Sequence, residues 1–378
     1  MELDFTSEQE LLRDAVRGMC AKHASPDVVR QMEGDPIGYP DQLWAQLLET
    51  GILGLTLPER WGGSGMSMLD AVVVYEELGR TLAPSPHFVS SVMSGGVLAL
   101  AGTDEQRDRW LAPIASGEAV VTPAWLEPGR GFGPVGVQLS ATAEGDGWRL
   151  SGTKRHVEYA AAADRLLVLA RCDPGPDGVM LVLVDPRAEG VDLVLQSTVA
   201  SDSQCRVELD GVFVPGDAVV GAAGAGWSAW DQVMRDGIVL LAAQAVGGAR
   251  YALDITVQYA KDRFQFDKPL GAFQAISHYL ADAVTRVDGA ETLVWEAAWA
   301  RSTGRSTERL APMAKLFACQ TFRDVTAMAQ QVFGGVGFTV EYDIQLYFRR
   351  AKQLQLSWWD PRYLEELVAV EVLDADGA

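Results

Sequence analysis

Two segments of this sequence carry side chains that together could bind a diphosphate bearing an aromatic group. In the first, YAKDRFQFDKPLGAFQAISHYLAD, Arg263 ends an apolar-periodic stretch and is followed by Phe264 and Phe266. A guanidinium is a permanently charged fork of donors that suits a diphosphate, and the neighbouring rings can face an aromatic group. Pro269 cannot continue a helix, so this order of residues predicts that Arg263 stands at a helix end.

Glutamines and glycines extend this candidate site. Gln274 opens the next predicted helix and adds neutral donors near its positive end. Gln331 precedes a turn in which Gly334 and Gly335 leave the backbone open to a bulky planar ligand. Taken singly, these residues have simpler explanations, since Arg263 could form a surface ion pair and the glycines could end a helix. Their joint order and spacing favour the ligand site.

The composition indicates a soluble enzyme of two or three domains. The chain has 378 residues, 48% hydrophobic and 22% charged, and can bury a large core. Its formal net charge of −20 would repel a phosphate backbone, which argues against nucleic-acid binding. A compact basic cluster, Arg349-Arg350-Ala351-Lys352, is interpreted as a solvated helix face or a local anion site.

Several features favour a cytoplasmic protein without a membrane span. The cysteines stand far apart, so neither a disulfide framework nor a metal site is predicted. They are Cys20, Cys172, Cys205 and Cys319. The N-terminal MELDFTSEQELLRDAVR is acidic and amphipathic, unlike a signal peptide. The longest apolar stretch, residues 237–249, is too short for a bilayer, which needs about 20 residues.

The sequence divides into three predicted domains, which together give an α+β fold class. Residues 1–118 show helical periodicity that begins after Thr6-Ser7-x-x-Glu10, a capping-box pattern. Residues 119–227 contain short β-rich runs separated by Gly, Pro and Asp turns, which predict a small β-domain. Residues 228–378 show long apolar helical periodicities, which predict a helical bundle.

FQAISH and QVFGG, in this order, resemble the cofactor-binding signature of the flavin-dependent acyl-CoA dehydrogenases, and the resemblance covers essentially the whole chain. It implies that family's fold, with FAD at a subunit interface of a dimer or a dimer of dimers. The adenosine diphosphate arm would be held by the neighbouring chain. The implied FAD contacts are Arg263, Phe266, Gln274, Gln331, Gly334 and Gly335. The implied partners are an acyl-CoA thioester and an electron-transfer flavoprotein or similar acceptor.

The resemblance weakens at the catalytic base. Family members oxidise an acyl-CoA to the 2,3-enoyl-CoA, and a glutamate removes the proton beside the thioester carbonyl while a hydride leaves for the flavin. At the two positions that this glutamate takes in different members, this chain has Trp358 and Gly237, neither of which can accept a proton. Asp236 is the nearest carboxylate, interpreted either as the base or as an acid favoured at a helix start. One residue turns a helix by about 100°, so Asp236 should point elsewhere unless the helix begins there.

The predicted flavin-side strand also departs from the family. LSGTKRHVEY resembles the strand that lies along the flavin ring, and His156 and Glu158 alternate along it and so share a face. They could line the flavin, or they could form a hydrogen-bonded surface pair. Leu126 replaces a flavin-binding threonine, and Glu127 after it is interpreted as a structural or rim residue.

Two hypotheses follow. The chain is an FAD-dependent acyl-CoA dehydrogenase whose active site uses an unusual base or a bulky-substrate geometry, or it is a base-less partner in a heteromer. Such a partner would donate the residues that hold the FAD arm while another chain donates the base. FDKPLGAFQAISH and GGVGFTVEYDIQLYFRRAK look closest to bacterial branches whose heteromers handle sterol side chains. Trp358 and Trp359 are packing residues or, in the family's layout, residues that narrow or plug the acyl pocket.

Overall fold

In the computed structural model, helices occupy both ends of the chain and strands occupy its middle, which confirms the predicted α+β fold class. The structure describes residues 5–175 and 178–373. The helices are α1 (Ser7–His23), α2 (Pro26–Met32), α3 (Asp41–Glu49), α4 (Met68–Arg80), α5 (Gly95–Ala101), α6 (Asp104–Ala115), α7 (Gly226–Asp262), α8 (Gln274–Ser302), α9 (Leu310–Phe333), α10 (Ile344–Leu356) and α11 (Pro361–Leu373). The strands are β1 (Val121–Ala124), β2 (Ser140–Glu144), β3 (Gly147–Glu158), β4 (Arg165–Arg171), β5 (Val179–Val184), β6 (Val191–Leu195), β7 (Gln204–Pro215), β8 (Val219–Val220), β9 (Phe264–Gln265) and β10 (Lys268–Pro269).

The residues pack into two units, neither of which is continuous in sequence. The first unit contains Met1–Arg30, Ser67–Ala83 and Ile238–Ala378. The second contains Gln31–Met66 and Pro84–Gly237. Helix α7 begins in the second unit and ends in the first. The predicted domain boundaries after residues 118 and 227 follow chain order instead, and they stay a prediction.

Helix α1 begins with a capping box of Thr6 and Gln9. The Thr6 hydroxyl accepts a hydrogen bond from Gln9 N at 3.2 Å, and Gln9 Oε1 accepts one from Thr6 N at 3.2 Å. These two bonds satisfy donors that would otherwise have no partner at the helix start. The capping pair is therefore Thr6 with Gln9, one residue before the Ser7 and Glu10 pair that the sequence pattern also contains.

In the first unit, helices α4 and α7 touch through their backbones at two glycines. A Cβ atom added to Gly79 would lie 2.0 Å from Gln244 O, and one added to Gly247 would lie 1.8 Å from Glu76 O. Both separations are far shorter than van der Waals contact, so neither position has room for a side chain. The two glycines therefore set how closely α4 and α7 approach each other.

Helix α7 is apolar because it lies in the protein core. Among the described residues it is the one helix whose length and composition would allow it to cross a membrane, yet 72% of its most apolar window is buried in the protein. On its first-unit part, Gly248 lies against the ring of Phe322 from α9, whose Cζ atom would be 2.5 Å from an added Cβ. A helix that is apolar and mostly covered by protein in this way is a core helix.

The strands of the second unit form one sheet in the order β6-β7-β3-β2-β4-β5-β8, with β1 parallel to β4. Strands β3 and β7 pair antiparallel over most of their length, with two shifts of register. Apolar side chains of these strands, such as Leu150, Val182 and Val207, are fully buried in one core. This sheet is the central β-structure that the fold class predicted.

A glutamate, Glu76, is buried in the first unit. Glu76 on α4 is 9% exposed, and its Oε1 accepts a hydrogen bond from Trp295 Nε1 at 2.7 Å. Burial, with the carboxylates Glu291 and Glu77, raises the pKa of Glu76 from 4.5 to about 8, although the Trp295 bond and Arg250 act in the opposite direction. The side chain is therefore mostly neutral at pH 7.

Replacing Glu76 with Gln is expected to flatten the pH dependence of stability. The folded chain keeps a proton on Glu76 up to about pH 8, whereas the unfolded chain releases it near pH 4.5, so the free energy of unfolding falls as pH rises between these values. The stability of Glu76→Gln relative to the parent should therefore be about 3 kcal/mol higher at pH 8 than at pH 5. Urea unfolding at both pH values measures this, with Glu365→Gln as the exposed control. A difference that is the same at both pH values would contradict the argument.

Candidate functional site

Arg263 stands directly after the end of α7, at the start of a tight hairpin. Its amide N still donates to Tyr259 O at 2.9 Å. Strands β9 and β10 then pair antiparallel around Phe266 and Asp267, whose φ angles of 53° and 64° are typical of a two-residue hairpin turn. The helix therefore ends before Pro269, and the hairpin rather than the proline redirects the chain.

An aromatic stack brings the ends of α7 and α9 together. The rings of Tyr259 and Phe333 lie 4.2 Å apart at 18°, and the Tyr259 hydroxyl donates to Phe333 O at 3.5 Å. Tyr259 precedes Arg263 by about one helical turn, and Phe333 follows Gln331 by two residues. The stack therefore places Arg263 and Gln331, which are distant in sequence, at the same end of the bundle.

The start of α8 lies at that end too. Gln274 is the first residue of α8, as the sequence predicted, and Phe273 before it provides no side-chain cap. A Cβ atom added to Gly271 would lie 3.4 Å from Ala260 O, so the segment before α8 runs beside the last turn of α7. The first N–H groups of a helix have no partner within it, and they are available to an anion.

The candidate cofactor contacts are exposed on the single chain. The Phe266 side chain is 87% exposed. The other exposed contacts are Arg263, Gln274, Gln331, Gly334 and Gly335. At Gly334 the backbone has φ 66° and ψ −145°, which is accessible essentially only to glycine, and no atom lies within 4 Å of a Cβ added to either glycine. Charged and amide donors beside open backbone and exposed rings fit a diphosphate cofactor with an aromatic group.

Gly237, one of the two base positions, faces apolar side chains of the second unit. A Cβ atom added to it would lie 2.7 Å from Met93 Sδ and 3.3 Å from Phe88 Cζ. Both residues belong to a π-helical segment, Phe88–Ser94, in which every residue is buried. The space that a carboxylate would need next to Gly237 is therefore filled.

Asp236 is half-buried and lies inside helix α7. The helix begins at Gly226, so the interpretation of Asp236 as a helix-start acid is wrong. The apolar residues before it, among them the fully buried Trp230, extend the helix toward the N-terminus. With regular helix geometry its side chain is turned by about 100° from the direction of Gly237.

Trp358 and Trp359 form a buried turn after α10. They are 5% and 0% exposed, with φ angles of 53° and 74°, which bulky residues rarely adopt. The Trp359 ring packs edge-on against Tyr363 at a centroid distance of 5.4 Å. Both indoles are thus packing residues within the first unit, and their predicted effect on an acyl pocket stays a prediction.

A buried ion pair fixes the loop that carries Glu127. Lys154 on β3 is fully buried, and its Nζ lies 2.7 Å from Glu127 Oε1, which also accepts bonds from the backbone N of Gln138 and Leu139 at 2.8 Å each. Burial lowers the pKa of Lys154 to about 8, although Glu127 counteracts this. The contacts agree with a structural role for Glu127. Lys154 was not predicted from the sequence, because it stands beside Arg155 and His156 and nothing there distinguishes it from an exposed basic residue.

His156 and Glu158 lie on either side of the buried Val157 on β3. The His156 ring is exposed, and its Nδ1 donates to Gln204 Oε1 at 2.9 Å, an acceptor on the neighbouring strand β7 that the sequence analysis did not identify. The Glu158 side chain is half-buried. Within residues 5–175 and 178–373, no three His, Cys, Asp or Glu side chains come together as a metal site.

Comparisons with known proteins agree with the class that this fold and donor set define, a flavin-dependent oxidoreductase. Residues 6–118, 123–212 and 224–357 match, in turn, the N-terminal, middle and C-terminal domains of acyl-CoA dehydrogenases. The chain belongs to the acyl-CoA dehydrogenase family, whose members use FAD.

Similar proteins match over nearly their whole length. A 3-(aryl)acrylate reductase of Clostridium sporogenes is 30% identical over 359 residues, which are 93% of this chain and 95% of that protein. A variant of the Tcur3481-Tcur3483 steroid ACAD has 33% identity and a TM-score of 0.87, covering 98% of this chain and 99% of that chain. The ChsE4-ChsE5 complex of Mycobacterium tuberculosis has 28% identity and a TM-score of 0.89, with 98% and 99% coverage.

Proposed function

We propose that this chain serves FAD-dependent oxidation of an acyl-CoA to the 2,3-enoyl-CoA, within an assembly in which a related chain supplies the catalytic base. The observation that carries the proposal is a contrast between two sets of positions. The candidate FAD contacts at the end of the bundle are exposed, whereas the two base positions are surrounded by packed side chains. Gly237 is covered by Met93 and Phe88, and Trp358 is buried in its turn. Similarity to the ChsE4-ChsE5 complex and to the Tcur3481-Tcur3483 steroid ACAD supports a heteromer.

The residues at the end of the bundle would hold the diphosphate of FAD. Arg263 would pair with a phosphate, Gln274 and Gln331 would donate amide hydrogen bonds, and the glycine turn would let the cofactor approach the backbone. Phe266 would cover an aromatic part of it. When bound, FAD supplies the hydride acceptor. Because these contacts are exposed on one chain, the proposal places the cofactor between chains.

A second candidate function is a homomeric dehydrogenase that uses Asp236 as its base. The observation in its favour is that Asp236 is a half-buried carboxylate one residue from a family base position. It would require the α7 helix to turn locally by about 100° so that the side chain reaches the acyl group. The two candidates differ in whether loss of the Asp236 carboxylate removes activity.

The remaining partners belong to the same proposal. The substrate would be an acyl-CoA thioester, and the similarity to a steroid ACAD supports a bulky or sterol-type acyl group. Electrons would pass to an electron-transfer flavoprotein or similar acceptor. The assembly would be a heterotetramer with a related chain or, for the second candidate, a homodimer or homotetramer, located in the cytoplasm.

The matches to the three family domains also support the proposed domain boundaries. The proposed domains are residues 1–118, 119–227 and 228–378, and the matched segments are residues 6–118, 123–212 and 224–357.

Arg263→Ala is expected to purify with much less FAD than the parent while remaining folded. Loss of a charge-assisted contact to a diphosphate costs about 1.5–3 kcal/mol, or roughly 10- to 100-fold in affinity. The ratio of flavin absorbance to A280 measures occupancy, and circular dichroism checks folding. Arg362→Ala is the control, because Arg362 is exposed and pairs with Glu366 along α11. Equal occupancy in the parent and Arg263→Ala would count against the proposed function.

A further inference from the structure

A buried lysine holds the turn that contains Trp358 and Trp359. Lys315 on α9 is fully buried, and its Nζ donates to Leu354 O at 3.1 Å, Ser357 O at 2.8 Å and Trp359 O at 2.9 Å. A lysine ammonium has three N–H donors, so this set of acceptors uses all of them. Such complete satisfaction explains how a charged group can remain in the core.

The three acceptors lie at the end of α10 and in the turn after it. Helix α10 ends at Leu356, so the carbonyl of Leu354 belongs to the last turn, where carbonyls have no partner within the helix. A cation is favoured at this negative helix pole. Lys315 therefore caps α10 from a different helix.

The same contacts support an unfavourable backbone conformation. Trp358 and Trp359 have positive φ angles of 53° and 74°, where the Cβ atom of an L-residue crowds the backbone. Two of the Lys315 bonds go to Ser357 O and Trp359 O, one on each side of Trp358. They fix the peptide plane before Trp358 and the peptide plane after Trp359, so the two-residue turn between these planes is held at both ends.

We propose that Lys315 is a positioning residue for position 358. It holds the turn so that the side chain at 358, whichever it is, points to the reacting end of the acyl-CoA. This inference rests on the proposed function, in which position 358 corresponds to one of the two places where family members carry the base. In this chain, the turn that Lys315 holds carries an indole at that position.

Hydrogen exchange of the FAD-bound chain tests whether Lys315 holds the turn after α10. Lys315→Met keeps the side-chain length but removes all three donors, and peptides covering residues 354–360 should then exchange at least tenfold faster. Peptides from β3 and β7 should exchange as in the parent. The matched control is Lys352→Met, because Lys352 is an exposed lysine on α10 that bonds to Gln355. Unchanged exchange of residues 354–360 in Lys315→Met would overturn the proposal.

A gain of activity tests the positioning and needs no change at Lys315. With Lys315 intact, Trp358→Glu should raise the rate of flavin reduction by acyl-CoA at least 100-fold, because a carboxylate then stands where a base is directed. Adding Lys315→Met should reduce that gain at least tenfold through kcat, with little change in KM. No gain from Trp358→Glu, or an equal gain with and without Lys315, would overturn the positioning role. FAD occupancy of Arg263→Ala, measured separately, shows whether the proposed function itself has failed.

Discussion

Mixed anaerobically with a straight-chain acyl-CoA, the purified FAD-bound chain is expected to bleach its flavin poorly or not at all. General-base removal of a proton contributes about 10²–10⁴ in rate, and neither Gly237 nor Trp358 can accept one. Stopped-flow absorbance of the flavin measures the rate. Addition of a related chain that carries the family glutamate should raise it by at least the lower end of this range.

Asp236→Asn distinguishes the two candidate functions in the same experiment. If Asp236 is the base, the substitution should abolish whatever bleaching the single chain shows. If the chain is a partner subunit, the substitution should matter little and activity should still require the second chain. Asp231→Asn is a matched control one turn earlier on α7, where Asp231 pairs with Arg235 at 2.9 Å. Rapid bleaching that survives Asp236→Asn would contradict both candidates and indicate a base elsewhere in the chain.

The double variant Gly237→Glu with Met93→Ala is expected to gain flavin reduction by acyl-CoA, by about 10²-fold or more over the parent. An added Cβ at position 237 would lie 2.7 Å from Met93 Sδ, so a glutamate there needs the space that Met93 now fills. Shortening Met93 provides that space, and the pair of changes roughly conserves buried volume. Single-turnover reduction of the flavin, followed by absorbance, measures the gain.

Each single variant is a control for this pair. Gly237→Glu alone should be destabilised without gaining activity, because its side chain meets Met93 and Phe88. Met93→Ala alone should lose about 2–5 kcal/mol of stability through the cavity that it leaves, and it should gain no activity. If Gly237→Glu alone is as active as the double variant, Met93 does not close this position. If a folded double variant with full flavin shows no gain, the face of Gly237 does not border the acyl site.

Sequence reasoning worked best where the signal was local. Gln274 is the first residue of α8, Arg263 follows α7 directly, and the Gly334 turn ends α9. The helix period or its loss is visible within a few residues of each of these positions, and a glycine marks the last of them. The overall α+β arrangement follows from the same kind of signal repeated along the chain.

Residues that act through distant partners could not be predicted in this way. Lys315 lies on the buried side of α9 beside Ala311, Ala314 and Ala318, and this apolar setting is its only signal in the sequence. Its acceptors lie about forty residues further along the chain, in a turn whose conformation no propensity predicts. The covering of Gly237 by Met93 likewise depends on a π-helical segment, which has no periodic signature of its own.

The glycine contacts between α4 and α7 also determine the order in which the chain can fold during synthesis. Gly79 emerges from the ribosome long before Gln244 and Gly247, and residues 84–237, which belong to the second unit, are made in between. The second unit is complete once Gly237 has been synthesised, whereas α1 and α4 still lack the helix against which α4 packs. Contacts of such long separation slow folding and leave apolar surface open in the meantime. Helices α1 and α4 are therefore expected to keep apolar surface exposed on the nascent chain until α7 has been made.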